Sequence, residues 1–111
     1  LSCKPHLGHK IMSKLESIHS SVHIITQNID GMHQRSGSVN VIELHGSLWR
    51  VRCMCKGIVE DIGNKYKNHM CPDCCEWLRP DITWFEDELD MKVFNKSNEI
   101  GNALYNGLLI F

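Results

Sequence analysis

The sequence has no surplus of charge and no long apolar run. Its 111 residues carry 12 Lys and Arg against 13 Asp and Glu, a net charge of -1 with seven histidines neutral. So even a balance offers no long-range field for nucleic acid or an anionic membrane. No apolar stretch approaches the roughly 18 residues of a spanning helix, so no membrane partner is expected. The start, Leu1-Ser2-Cys3-Lys4-Pro5, lacks the basic-then-apolar order of a secretion signal. There is no internal repeat or low-complexity tract, and no HExxH set to hold the open metal site of a zinc hydrolase. What is there is ordinary for one small globular domain: 42% hydrophobic and 23% charged residues. A start without Met and an apolar end, Leu108-Leu109-Ile110-Phe111, read as a fragment of a longer protein.

Residues 5–18 predict an amphipathic helix. Leu7, Ile11, Leu15 and Ile18 recur at helical spacing, Met12 widens the stripe, and Pro5 suits the first turn. Val22–Ile25 and Val41–Leu44 predict short buried strands, and the Gly- and Ser-rich stretch 31–40 between them a loop or loop-helix-loop. Residues 47–82 change character: cysteines, basic residues and turn formers replace the periodicity, as in an inserted small module. Ile82–Phe85 is strand-like again, 86–90 is an acidic loop, 91–106 has weak helical spacing, and 107–111 resembles the start of another strand. Helix alternating with strand predicts an α/β fold.

Five of the six cysteines fall within residues 53–75, in two tight groups. Clustering of this kind favours a metal over a disulfide framework and suits an intracellular, most simply cytoplasmic, protein. Cys53-Met54-Cys55 and Cys71-Pro72-Asp73-Cys74 lie 15 residues apart. Two thiolate pairs at that separation make a closed tetrahedral zinc site, whose role is folding in a module too small to hold itself together. The first pair is Cys-x-Cys, with Lys56 where the second cysteine of Cys-x-x-Cys would stand. The expected ligands are Cys53, Cys55, Cys71 and Cys74, with Cys75 or His69 as alternatives to Cys55. The plainer reading is a group of reduced, buried thiols.

Both predicted core strands end in polar groups. Gln27, Asn28 and Asp30 follow the first, and His45 follows the second. In open α/β sheets ligands bind beyond the carboxyl ends of the strands. Amides can read a carboxamide, and a histidine can take a proton near neutral pH. By spacing alone, Gln-Asn-x-Asp could equally cap a helix near Gly31, and His-Gly could be only a turn.

Together these stretches resemble one family. Thr26-Gln27-Asn28-Ile29-Asp30-Gly31-Met32-His33 closely resembles the TQNIDxLH motif of sirtuins, the NAD-dependent protein deacylases. Val41–Leu48 is similar to the strand leading to the family's catalytic His-Gly, and the cysteine module follows in the family's order. Leu78-Arg79-Pro80-Asp81-Ile82-Thr83-Trp84-Phe85 is similar to LRPxVVWFGE, and Lys4-Pro5 with His9 resembles the helix before the first motif.

The resemblance implies a partial Rossmann-like parallel sheet, residues 1–46 and 83–111, carrying a zinc module over 47–82. It implies His45 as catalytic base, Gln27, Asn28, Ile29 and Asp30 around the nicotinamide and ribose of NAD, and a structural Zn2+. Ile82, Thr83, Trp84, Phe85 and Glu86 would present backbone to an acyl-lysine protein or peptide. The implied reaction moves the acyl group from lysine to ADP-ribose. Nicotinamide leaves, the acyl oxygen captures the anomeric carbon, and His45 deprotonates a ribose hydroxyl that then attacks. Glu86 stands where the family has Gly, Asp87 where it has Glu, and Asp81 where it has His. The family's phosphate-binding GAGxS lies outside the chain. The 111 residues alone are therefore expected to be poorly soluble and inactive, the other reading being a zinc-stabilised interaction module without turnover. His6, His19, His23 and His69, the tryptophans, and Arg50, Arg52, Lys65 and Lys67 are given structural or solvated roles, and Arg35 a place near the cofactor.

Overall fold

A computed structural model describes residues 2–60 and 69–103. Helix α1 (Leu7–Ile18) leads to strand β1 (Ile24–Thr26), a short helix α2 (Met32–Arg35) and strand β2 (Val41–Glu43). Strands β3 (Gly46–Cys53), β4 (Gly57–Glu60) and β5 (Arg79–Ile82) follow, then helix α3 (Met91–Ala103). Lys65, Lys67 and the strand expected at 107–111 lie outside the described residues. No helix among the described residues is long and apolar enough to cross a membrane.

β1 and β2 pair in parallel, Ile24 with Val41 and Thr26 with Glu43, with α2 in the crossover. Their β-branched residues suit a strand, and Ile24 and Ile42 are buried. The second sheet has the order β4-β3-β5 and is antiparallel. Its buried apolar residues are Val51, Cys53 and Ile82. The predicted strand at 82–85 is displaced upstream: β5 ends at Ile82. Beyond it the chain leaves the sheet for a turn in which the amides of Trp84 and Asp87 are held within the 84–87 segment.

α1 begins at Leu7, two residues later than the spacing predicts, with Pro5 before the cap. His6 caps it: its Nδ1 accepts from the Gly8 amide at 3.0 Å, and His9 Nδ1 accepts from the His6 amide at 3.3 Å. Leu7, Ile11 and Ile18 of the apolar stripe stay exposed among the described residues. The helix is held instead through its polar side. Ser36 Oγ donates to the His9 carbonyl at 3.1 Å, and Glu16 accepts from the amides of Val39 and Asn40, just ahead of β2.

Candidate functional site

Because β1 and β2 run parallel, both carboxyl ends open on one side of the sheet. A cavity of about 700 Å³ lies there, lined by Gln27, Asn28, Ile29, Asp30, His45, Ile82, Thr83, Trp84, Phe85, Asp87 and Leu89. Ten of those eleven positions trace to three short stretches, 27–30, His45 and 82–87. Glu86 is not in the lining, while Asp87 and Leu89, from the stretch expected to form an acidic loop, are. Asp87 accepts from the amide of Trp84, three residues back, at 3.2 Å, and forms an ion pair with Arg79.

The first tip is built by local hydrogen bonds. Thr26 Oγ1 accepts from the Asn28 amide at 3.0 Å, and Asp30 Oδ1 from the Met32 amide at 3.0 Å. Asp30 thus closes a local turn just before α2, whose N-cap is Gly31 without a side-chain cap bond, and also lines the cavity. β3 then fastens the tip from outside. Pairing of β3 with β5 jumps from Ser47 to Val51. In that interval the Leu48 amide donates to the Ile29 carbonyl at 2.9 Å and the Trp49 indole to the Asp30 carbonyl at 2.7 Å. Gly31, in the left-handed region at φ 66°, lies against this indole, and a Cβ there would approach it to 2.7 Å.

His45 is placed by its neighbours. Leu44 donates its amide to the Thr26 carbonyl at 2.9 Å, and the His45 carbonyl accepts from the Thr83 amide at 2.9 Å. Gly46, at φ 77°, lets β5 come close. His45 Nδ1 is buried without a hydrogen-bond partner among the described residues.

Behind the cavity lies a charged network. Arg50 reaches Glu43 at 2.7 Å and Asp81 at 2.8 Å, and Arg52 reaches Asp81 at 2.6 Å. The solvated role given to Arg50 is corrected: it is three-quarters buried and joins two buried carboxylates, whereas Arg52 stays half-exposed while paired with Asp81. Burial pushes the Asp81 carboxyl up, but hydrogen bonds from Arg50 and Arg52 outweigh it and hold it below the usual range.

The cysteines meet at the far end of β3. Cys53 Sγ lies 3.3 Å from Cys55 Sγ and 3.6 Å from Cys74 Sγ, and Cys55 Sγ lies 3.7 Å from Cys71 Sγ. All four sulfurs fall within 4.8 Å of one another. A tetrahedron with metal–sulfur bonds of about 2.3 Å has edges of about 3.8 Å, so the set fits zinc. Cys75 and His69 are not in this group. Hydrogen bonds from Cys55, its backbone first, draw the Cys53 thiol down to about 6. Cys55 is pushed up by the neighbouring sulfurs, first that of Cys53. Lys56, ion-paired with Asp73, brings positive charge beside the thiolates. Four sulfurs leave no position for a reacting water, so a metal here would brace the sheet rather than do chemistry.

The family model described as "Sir2 family" matches residues 1–109. Among curated relatives, an NAD-dependent protein deacylase of Aquifex aeolicus is 37% identical over 111 residues, 92% of this chain and 44% of its own length. An NAD-dependent protein deacetylase of Thermotoga maritima is 43% identical over 95 residues, 80% of this chain and 39% of its own. The chain thus spans about two fifths of the length of these relatives. Of solved structures, one described as "Sir2-p53 peptide-NAD+" superposes with a TM-score of 0.75 at 35% identity, covering 90% of this chain and 44% of that one. A crystal structure of "a Sir2 homolog-NAD complex" gives 0.77 at 34% identity, covering 89% and 40%. Sequence, fold and the meeting of the two strand tips at one cavity agree: the chain belongs to the Sir2 family.

Proposed function

We propose that this chain carries part of the catalytic core of an NAD-dependent protein-lysine deacylase, which transfers an acyl group from lysine to ADP-ribose and releases nicotinamide. The observation that supports this best is the convergence of Gln27–Asp30, His45 and Thr83–Phe85 on one cavity. Those three stretches match what the chemistry requires. The Asn28 amide and the Asp30 carboxylate can hold the nicotinamide carboxamide, with Ile29 packing beside it and Gln27 near the ribose. His45 lines the cavity and can take the proton of a ribose hydroxyl there.

The acyl-lysine peptide would run along Ile82, Thr83, Trp84 and Phe85, whose backbone leaves the sheet there, with Glu86 at the outer end. Zn2+ on Cys53, Cys55, Cys71 and Cys74 would brace the module, and we divide the chain into 1–46, 47–82 and 83–111 on that basis. Reduced thiols suit an intracellular, cytoplasmic setting.

A panel of acyl-lysine peptides with NAD, applied to the complete gene product beside His45→Ala, tests the proposal. Nicotinamide release that depends on both peptide and His45 is expected. A folded, metal-bearing protein that releases none with any acyl chain would instead be a zinc-stabilised interaction module.

A further inference from the structure

We infer that Asp81 is a positioning residue for the peptide wall of the His45 cavity, an inference that rests on the deacylase reading of that cavity. Its carboxylate does not line the cavity, so it is not a catalytic residue. It is 4% exposed and bridges Arg50 and Arg52 on β3. Arg50 passes the contact on to Glu43, two residues before His45. Two carboxylates and two guanidiniums thus run from β2, which leads into His45, to β5, which leads into Thr83.

The backbone of the same residue works at the other side of the joint. The Asp81 carbonyl fills the space that Gly46 leaves open, Gly46 pairs with Ile82, and the Thr83 amide closes on the His45 carbonyl. This end of the β3–β5 ladder is weak by itself. Pro80 brings no amide hydrogen, and regular pairing is interrupted between Ser47 and Val51. The ion pairs span that interruption: Arg50 and Arg52 flank Val51, the partner of Pro80. Where Thr83, Trp84 and Phe85 stand relative to His45 therefore depends on a side chain that touches none of them through the cavity.

The test is steady-state kinetics of the complete gene product with Asp81→Asn, varying acyl-peptide and NAD separately. KM for the peptide is expected to rise about tenfold, because a loosened wall binds the peptide less well in ground and transition states alike. kcat and KM for NAD should change by less than about twofold, since uniform binding is what has been lost. A merely structural role would lower the amount of active enzyme and leave the peptide KM where it was; that result overturns the inference.

Arg52→Gln guards against a variant that fails to fold. Arg52 is half-exposed, and its loss leaves the Arg50–Asp81 pair in place. A smaller rise in peptide KM is expected, with shifts of the Thr83 and His45 amide signals in nitrogen-edited spectra. The spectra need no turnover. If the wild type has no activity, the deacylase reading fails, while unmoved Thr83 and His45 signals in Arg52→Gln would overturn the role of Asp81.

Discussion

A β-carbon on Gly46 would stand 2.0 Å from the carbonyl oxygen of Asp81. Glycine follows His45 because the next strand passes too close for anything larger.

Gly46→Ala should therefore move β5. Alanine must adopt a left-handed φ of 77°, a strain of about 1–2 kcal/mol, and must also push the Asp81 backbone away. A total loss of about 3 kcal/mol is expected in urea unfolding. A loss under about 1 kcal/mol would mean that β5 yields freely at this contact.

Metal removal separates the candidate ligands. Cys55→Ser should lose bound zinc and cooperative unfolding of the β3–β5 sheet, whereas Cys75→Ser should retain one zinc per chain. Structural zinc contributes about 10–16 kcal/mol of apparent binding energy, so a chelator should abolish the folded module. Metal analysis of the two variants decides it: loss in Cys75→Ser with retention in Cys55→Ser would reverse the assignment.

Acid should loosen α2, which carries His33. His6 and His9, which each accept a backbone amide at Nδ1, lie beside His33. The rings touch, His6 tilted against His9 at 4.0 Å and His9 edge-on to His33 at 4.9 Å between centroids. Burial first, then the charges of His9 and His6, lower the pKa of His33, against the opposing pull of Asp30. A histidine lowered on folding adds stability above its unfolded value of about 6.5, and that stability is lost as pH falls through the lower folded value. Amide protection factors over 33–36, corrected for the intrinsic pH dependence of exchange, should fall between pH 7 and pH 5, and His33→Gln should flatten the change. Equal pH dependence in wild type and variant would exclude His33 as its source.

What could be read in advance was what is local. The two β-branched runs with polar ends, the loop-helix-loop between them and the thiol pairs all signal within a few residues, and sheet and cavity follow once the strands lie parallel. Arg50 misled because alternating cations in a strand look like a solvated face; its partner Asp81 is 31 residues away. Trp49 was similarly opaque, since its indole donates to a carbonyl 19 residues back. Leu7, Ile11 and Ile18 have the spacing of a buried stripe but are exposed here. Periodicity states which face is apolar and does not say what covers it.

The grip of Glu16 on Val39 and Asn40 bears on the order of assembly. It closes a loop of 23–24 residues, shorter than the 29–31 that join Asp81 to its arginines. Loop closure costs more as the loop lengthens. Both partners lie within residues 16–40, so this clasp can close without any contact from the cysteine module.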